Sequence, residues 1–105
     1  MKKILIVDDE SNIRLGLNKC LAKEGYYIEE ASNGEEALQL IYNKKYDLIL
    51  MDVQMPELNG FDVLKRIRKF GNSTRVIMMT AFGTVEMAVD SMKIGAVDFL
   101  SKPFT

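Results

Sequence analysis

Four short apolar runs, each ending at a polar side chain, constrain the fold of this chain more than any other feature. The first run, Ile4–Val7, stops at Asp8 and Asp9, and a second, Leu48–Met51, stops at Asp52. Runs this short and this rich in aliphatic residues are typical of strands buried on both faces. A polar group at the end of such a strand lies at the rim of the sheet, where open α/β folds bind their ligands.

The other two runs are followed by a hydroxyl and an ammonium group rather than by acids. Val76–Met79 is followed by Thr80, and Val97–Ser101 is followed by Lys102. Because the chain has no histidine, any chemistry must use carboxylates, hydroxyls and lysine. Each residue alone also fits a plain structural role, as a turn former or a strand residue. Acids, a hydroxyl and an ammonium at the mouths of separate strands together favour a site for a metal ion and a phosphate.

Strand and helix patterns alternate along the chain. The strand patterns cover Lys3–Val7, Tyr26–Ala31, Asp47–Met51, Arg75–Met79 and Val97–Leu100. Ser11 is the predicted N-cap of a helix that runs to Lys23, and Thr84 is the predicted cap of a helix that runs to Lys93. A capping-box pattern begins at Asn33. The helices between the strands predict a parallel sheet with right-handed crossovers.

Strand order decides whether the polar groups meet. In the order 2-1-3-4-5 the first and third strands are neighbours at the point where the winding of the sheet reverses. That order brings Asp8, Asp9 and Asp52 to one edge, although they are far apart in the sequence. The sequence therefore predicts an α/β, flavodoxin-like, doubly wound sheet of five parallel strands.

Composition narrows the function classes. The chain has 105 residues, 48% of them hydrophobic, which suffices for one domain, 1–105, with no room for a second. A net charge of −1 gives no field that attracts nucleic acid or an anionic membrane, so neither is an expected partner. The one cysteine, Cys20, cannot build a disulfide framework, which fits a cytoplasmic protein; the helical pattern around it predicts a small buried residue.

Five segments in order carry a resemblance to a known family. They read ILIVDDE, ASNGEEAL, DLILMDVQMPELNGFDVL, VIMMTAFGTVEMAV and GAVDFLSKPF. In this order and spacing they resemble the receiver domain of a two-component response regulator, over essentially all 105 residues. The stretch from Met79 to Phe104 is most similar to receivers of NtrC-like transcriptional activators.

The resemblance implies roles for the acids. Asp52 matches the phosphoacceptor aspartate, and Asp8 and Asp9 match the acid pair that holds a divalent cation. Gln54 lies at the position whose backbone carbonyl completes the metal site. Oxygen ligands alone, with open positions for water and phosphate, suit Mg²⁺, with Mn²⁺ as a substitute.

The resemblance also implies a switch. Thr80 matches the switch hydroxyl, Lys102 the lysine that binds the phosphoryl group, and Phe99 the switch aromatic, where tyrosine is frequent. A phosphoryl group on Asp52 is expected to draw Thr80 toward it and to open space into which Phe99 rotates. Pro103 is a candidate for a cis peptide bond.

Helical periodicity predicts a surface for partners. The stripe expected to face the core in the last helix consists of Val85, Ala88, Val89 and Met92. Met87 and Ile94 lie near the opposite side and are predicted to contact an output domain, an effector protein or a second copy of the chain. Leu15 lies off the apolar face of its helix and is predicted to contact the phosphodonor.

The predicted function is a phosphorylation-controlled signalling switch. The resemblance implies a sensor histidine kinase or a phosphotransfer protein as donor, and an output domain or effector protein, most simply one that controls transcription. The chain is not expected to be an enzyme acting on a separate substrate, and it is expected to catalyse at most its own phosphorylation and dephosphorylation. Because the family has a fifth helix after the fifth strand, the chain is expected to be a C-terminally truncated domain with an apolar strip left bare.

Three other readings are weighed against this one. A Mg²⁺-dependent phosphatase with an aspartyl nucleophile would favour an acid two residues beyond the nucleophile and a substrate cap, and neither is visible. A flavodoxin-like cofactor binder would favour a Gly-rich loop after the first strand, which is also missing. A receiver that acts through contact alone, without phosphorylation, would leave site positions unfilled, whereas here every position is filled.

Overall fold

The computed structural model describes residues 1–81 and 83–102 as five strands and four helices. The strands are β1 (Lys3–Val7), β2 (Tyr27–Ala31), β3 (Leu48–Asp52), β4 (Arg75–Thr80) and β5 (Asp98–Ser101), and the helices are α1 (Ser11–Lys23), α2 (Gly34–Asn43), α3 (Gly60–Lys69) and α4 (Val85–Lys93). The strands form one sheet in the order β2-β1-β3-β4-β5, and all neighbouring strands are parallel. The predicted fold class and strand order are confirmed.

The register of the central strands sets the position of the acids. Val7 of β1 pairs with Met51 of β3, so the residues that follow them, Asp8 and Asp52, lie at the same level along the sheet. Asp52 and Thr80 are the last residues of their strands, one residue further than the sequence pattern predicted. Both polar side chains therefore start from backbone that the hydrogen-bond ladder holds.

Helices cover both faces of the sheet. Alternate residues of β1 and β3, such as Leu5 and Ile49, pack with buried side chains of α2 and α3 in one cluster. Met87 of α4 and Ile94, the residue directly after α4, pack against this cluster. The intervening residues of the strands form a second cluster on the other face, against which Leu17 and Leu21 of α1 pack. The sheet is therefore doubly wound, with α1 on one side and α2, α3 and α4 on the other.

Side-chain caps fix the starts of three helices. The side chains of Asn33, Asn59 and Thr84 accept hydrogen bonds from the backbone N–H of Glu36, Asp62 and Met87, at 2.8, 3.0 and 3.1 Å. The prediction that Ser11 caps the first helix is wrong. Ser11 is the first helical residue and Glu10 is the N-cap, without a side-chain hydrogen bond. Asp8, Asp9 and Glu10 form an acid turn between β1 and α1.

The inward face of α4 is the reverse of the one predicted. Val85 is 83% exposed, and Val89 and Met92 are each 46% exposed, whereas Met87 and Ile94 pack against the core. Ala88, the fourth residue of the predicted stripe, is half-buried. The helix carries two apolar stripes, and periodicity favoured the one with more apolar residues. The structure buries Ser91, whose hydroxyl donates to the carbonyl oxygen of Met87 at 2.9 Å.

Two further features bear on the predictions. Cys20 is exposed, and the prediction that it is buried is wrong, because Leu17 and Leu21 face the sheet and Cys20 lies one residue outside their stripe. On the same face as α1, Leu100 is 38% exposed and Ile77 is half-buried, so apolar side chains near β5 meet solvent there. Within the described part of the chain, no helix has the length and apolar character needed to span a membrane.

Candidate functional site

Asp8 lies at the centre of the site, immediately after β1. Its side chain is fully buried, and both carboxylate oxygens have partners. Oδ1 accepts a hydrogen bond from the backbone N–H of Glu10 at 2.9 Å, and Oδ2 accepts one from Nζ of Lys102 at 2.5 Å. A buried carboxylate needs such partners to keep its charge.

Asp52 lies across Lys102 from Asp8. It is 4% exposed, and its Oδ1 lies 3.4 Å from Nζ of Lys102 and 3.3 Å from the backbone N of Gln54. The start of α3 approaches its backbone so closely that a Cβ on Gly60 would lie 2.2 Å from the Asp52 carbonyl oxygen. Glycine at position 60 therefore fixes the backbone that carries Asp52.

Lys102 directly follows β5, the edge strand of the sheet, and its side chain extends to both acids. Its backbone N–H donates to the carbonyl oxygen of Thr80 at 2.7 Å, which ties the end of β5 to the end of β4. Its side chain is 8% exposed and bridges the carboxylates of Asp8 and Asp52. Residues from three separate strand ends, 94 positions apart at the extremes, thus meet at one edge of the sheet.

Burial and charge shift the acid–base properties of this bridge. Burial, and after it the charge of Asp8, raises the pKa of the Asp52 carboxyl from 3.8 to about 6, although Lys102 and the N–H of Gln54 act in the opposite direction. Burial by itself would lower the pKa of Lys102, but the hydrogen bond to Asp8 and the charge of Asp52 raise it overall. Lys102 therefore stays protonated. A second positive charge near Asp52 would stabilise its ionised carboxylate and lower its pKa.

An acidic group suited to a cation adjoins this bridge. Asp8, Asp9 and Glu10 each place a carboxylate oxygen within 4.8 Å of the others, with Asp9 and Glu10 exposed to solvent. Hard oxygen donors open to water are the ligands that Mg²⁺ prefers. The residues present therefore fit such an ion. Glu10 was not among the predicted ligands, and the only signal for it was its position directly after the acid pair.

The predicted switch residues also lie near one another. Thr80 is fully buried, and Phe99 is half-buried and packs against the α2–α4 side of the core. A Cβ on Gly83 would lie 3.0 Å from the ring of Phe99 and 3.3 Å from Cγ2 of Thr80, so this loop touches both side chains. Leu15 is 55% exposed, as its predicted contact with a partner requires. Pro103 lies outside the described residues.

Comparison with known proteins decides the family. The chain matches the response regulator receiver domain over residues 4–105. It belongs to this family. Receiver domains are signalling proteins rather than enzymes with separate substrates, they generally bind Mg²⁺ at an acidic pocket, and they switch conformation when an aspartate is phosphorylated. Response regulators act with histidine kinases and output domains, and this receiver chain does not by itself define its output.

Curated relatives of this receiver differ in length. It is 42% identical over 103 residues to "Sporulation initiation phosphotransferase F" of Bacillus subtilis, covering 98% of this chain and 83% of the relative. It is 43% identical over 104 residues to "Regulatory protein AtoC" of Escherichia coli, covering 99% of this chain but 23% of the relative. The receiver thus matches most of the first relative but less than a quarter of the second.

Solved structures share the fold of this receiver. The response regulator TrrA of Thermotoga maritima, in complex with Mg²⁺ and BeF, is 40% identical with a TM-score of 0.90, covering 100% of this chain and 90% of that one. The receiver domain of the Francisella response regulator 1452 is 35% identical with a TM-score of 0.95, covering 100% and 87%. The narrower similarity to NtrC-like activators stays a prediction.

Proposed function

We propose that Asp52 is the phosphoacceptor of this receiver. The observation that carries the proposal is the bridge of Lys102 between the buried carboxylates of Asp8 and Asp52. A single ammonium between two carboxylates leaves net negative charge in the pocket, and a divalent cation would balance it. The proposed ligands of Mg²⁺, or of Mn²⁺ in its place, are Asp8, Asp9, Asp52 and the backbone carbonyl of Gln54.

The proposed reaction is a phosphoryl transfer to a carboxylate. An oxygen of Asp52 attacks the phosphorus of a phosphohistidine on a sensor histidine kinase or phosphotransfer protein, and the P–N bond breaks as the P–O bond forms. The imidazole leaves and takes a proton, and Asp52 becomes an acyl phosphate. Mg²⁺, when bound, supplies positive charge that stabilises the oxygens of the transferred group. Lys102 is already within 3.4 Å of Asp52, and its ammonium binds one phosphoryl oxygen.

Thr80 and Phe99 form the proposed switch. The hydroxyl of Thr80, at the end of β4, donates to a second phosphoryl oxygen, and Phe99 then rotates toward the space that Thr80 leaves. A population that moves from mostly off to mostly on needs roughly 5 kcal/mol of differential binding. A few charge-assisted hydrogen bonds to the phosphoryl group can supply that amount. The same groups would let the domain catalyse its own phosphorylation and hydrolysis.

The proposed partners follow from this mechanism. The donor docks near the exposed Leu15, on the helix that follows the acid turn. The output, in an attached domain or a separate effector, is proposed to control transcription in the cytoplasm, and homodimerisation is one way to couple to it. Met87 and Ile94 are not proposed as partner contacts, because they pack against the core. The apolar side chains near β5 favour domain 1–105 being part of a larger assembly, in which further residues of the protein or a partner cover them.

Phosphorylation by a small-molecule donor tests the proposal. The chain is incubated with acetyl phosphate and MgCl₂, and its intact mass is measured. We expect the wild-type chain and the control Asp90→Asn, which changes an exposed acid on α4, to gain one phosphoryl group. We expect no gain in Asp52→Asn or in wild type treated with EDTA. Equal phosphorylation of Asp52→Asn and wild type would overturn the assignment.

A further inference from the structure

Arg14 of α1 contacts the backbone of the acid turn. Its Nη1 donates to the carbonyl oxygen of Asp8 at 2.7 Å, and its Nε donates to Oε1 of Glu30 on β2 at 3.0 Å. Asn18 donates to the other oxygen of Glu30 at 2.8 Å. The Arg14 side chain is 18% exposed and the Glu30 side chain 34% exposed, so the network lies at the surface with its arginine mostly covered. The site described above does not use any of its three side chains.

Backbone hydrogen bonds hold the two ends of the segment that Arg14 contacts: the N–H of Asp8 donates to the Ala31 carbonyl, and the Glu10 carbonyl accepts from the N–H of Arg14. The carbonyl of Asp8 lies between these ends and accepts from the Arg14 side chain. Residues 8–10 lie between β1 and α1, outside both regular elements. Asp8 is held through its buried side chain, but Asp9 is exposed, and among residues 1–81 and 83–102 its carboxylate receives no hydrogen bond. The direction of the Asp9 side chain therefore depends on the peptide plane between Asp8 and Asp9. The carbonyl oxygen that Arg14 holds belongs to that plane.

We propose that Arg14 is a positioning residue for cation binding. By fixing the peptide between Asp8 and Asp9, it keeps the Asp9 carboxylate beside that of Asp8, where both can bind a divalent cation. The inference rests on the proposed function, because it concerns the same acids. Arginine suits this task better than lysine, since its planar fork donates in two fixed directions at once, here to the Asp8 carbonyl and to Glu30.

Glu30 explains how a positive side chain can serve a cation site. A guanidinium close to a divalent cation would weaken its binding through like-charge repulsion. The ion pair with Glu30 offsets that charge, and Asn18 holds Glu30 in place. The network thus supplies a hydrogen-bond donor to the Asp8 carbonyl, while the ion pair of Arg14 with Glu30 keeps its net charge near zero. Residues behind the direct ligands commonly set the affinity of metal sites in this way.

Titration with MgCl₂, followed by NMR chemical shifts of backbone amides, tests the inference without any phosphodonor. We expect Arg14→Met to bind Mg²⁺ about tenfold more weakly than wild type. The matched control is Lys19→Met, which removes an exposed positive charge from the same helix and should leave the affinity unchanged or slightly increased. Because loss of a positive charge by itself favours cation binding, weaker binding in Arg14→Met must come from lost positioning.

A second pair of variants separates positioning from general stability. In an Asp9→Asn background, Arg14→Met should cause no further loss of Mg²⁺ affinity, because its effect passes through Asp9. Glu30→Gln keeps the donor to the Asp8 carbonyl and should reduce affinity by a smaller factor, about two- to threefold. Circular dichroism in EDTA checks that each variant is folded, and Glu30→Gln serves as the test if Arg14→Met is not.

The outcomes distinguish this inference from the proposed function. Equal Mg²⁺ affinity of wild type and folded Arg14→Met, or an equal effect of Arg14→Met with and without the Asp9 carboxylate, would overturn the inference alone. A wild-type chain that binds Mg²⁺ but gains no phosphoryl group would overturn the proposed function and leave the inference standing. A wild-type chain that binds no Mg²⁺ would overturn both.

Discussion

The middle of the sheet and its β5 margin are packed in different ways. Core side chains of β1 and β3, such as Val7 and Met51, are fully buried, and the acids that follow them are held by several hydrogen bonds. At the margin, Val85 of α4 is 83% exposed and Leu100 of β5 is 38% exposed. Among the residues of α4, all of which the structure describes, Ser91 alone is buried.

This difference indicates a division of labour. A site that must hold several charges within hydrogen-bond distance needs a rigid, well-packed support. An element that responds to a new phosphoryl group must rearrange at low cost, and segments with few buried contacts have the lowest free energies of local opening. Lys102 connects the two regions, since its backbone belongs to the margin and its ammonium lies in the acid pocket.

The largest effect is expected from removing that connection. Lys102→Met leaves the buried carboxylates of Asp8 and Asp52 without their cation, and we expect a loss of about 3–5 kcal/mol in the free energy of unfolding at pH 7 in EDTA. Lys93→Met, an exposed lysine of α4, is the control. Urea unfolding measures both, and MgCl₂ should restore part of the loss. A cost below about 1 kcal/mol, typical of a surface pair, would show that the bridge does not support the pocket.

A gain in stability is expected from removing charge in the packed region. The pKa of Asp52 is about 6 in the folded chain and 3.8 when unperturbed, so the folded state binds more protons between these values. Stability therefore falls as pH rises from about 4 to 6 and is then constant. Asp52→Asn removes the cost of ionising this buried carboxyl in the folded state. It should be about 2–3 kcal/mol more stable than wild type at pH 7 without metal.

The comparison at low pH provides the control for Asp52→Asn. Below about pH 3 the wild-type carboxyl is mostly neutral in both states, and the two proteins should have nearly equal stability. Urea unfolding across this pH range, in EDTA, measures the difference directly. A difference that does not change with pH would contradict the assignment of a raised pKa to Asp52.

A smaller effect tests which side of α4 faces the core. Met87→Lys places a charge against the buried cluster and should cost about 1–3 kcal/mol, whereas Val85→Lys on the exposed side should stay within about 0.5 kcal/mol of wild type. Thermal or urea unfolding distinguishes them. The opposite ranking would restore the orientation that periodicity predicted for this helix.

The sequence was sufficient to predict the sheet and the meeting of its polar ends. Asp8, Asp52 and Lys102 follow short apolar runs, and the rules for parallel sheets bring the ends of such runs to one edge. In the structure, the pairing of Val7 with Met51, the last apolar residues of the two runs, places Asp8 and Asp52 side by side. The strands β3 and β4 each extend one residue beyond their apolar run, to Asp52 and Thr80, because backbone pairing does not depend on the polarity of the side chain.

The features that were missed depend on tertiary contacts. The sequence of a helix with two apolar stripes does not determine which stripe meets the core, and in α4 it is the side with Met87 and the buried Ser91. Cys20 lies one residue away from the stripe of Leu17 and Leu21, a difference of about 100° around the helix. The contact of Arg14 with the Asp8 carbonyl leaves no pattern in the sequence at all.

Chemical trapping of the phosphorylated residue tests the central claim most directly. The chain is phosphorylated with acetyl phosphate and MgCl₂, reduced with borohydride, which converts an aspartyl phosphate to homoserine, and digested for tandem mass spectrometry. We predict homoserine at position 52, at a yield that falls to background in EDTA. Homoserine at Asp8 or Asp9 instead, with Asp52 unmodified, would contradict the account.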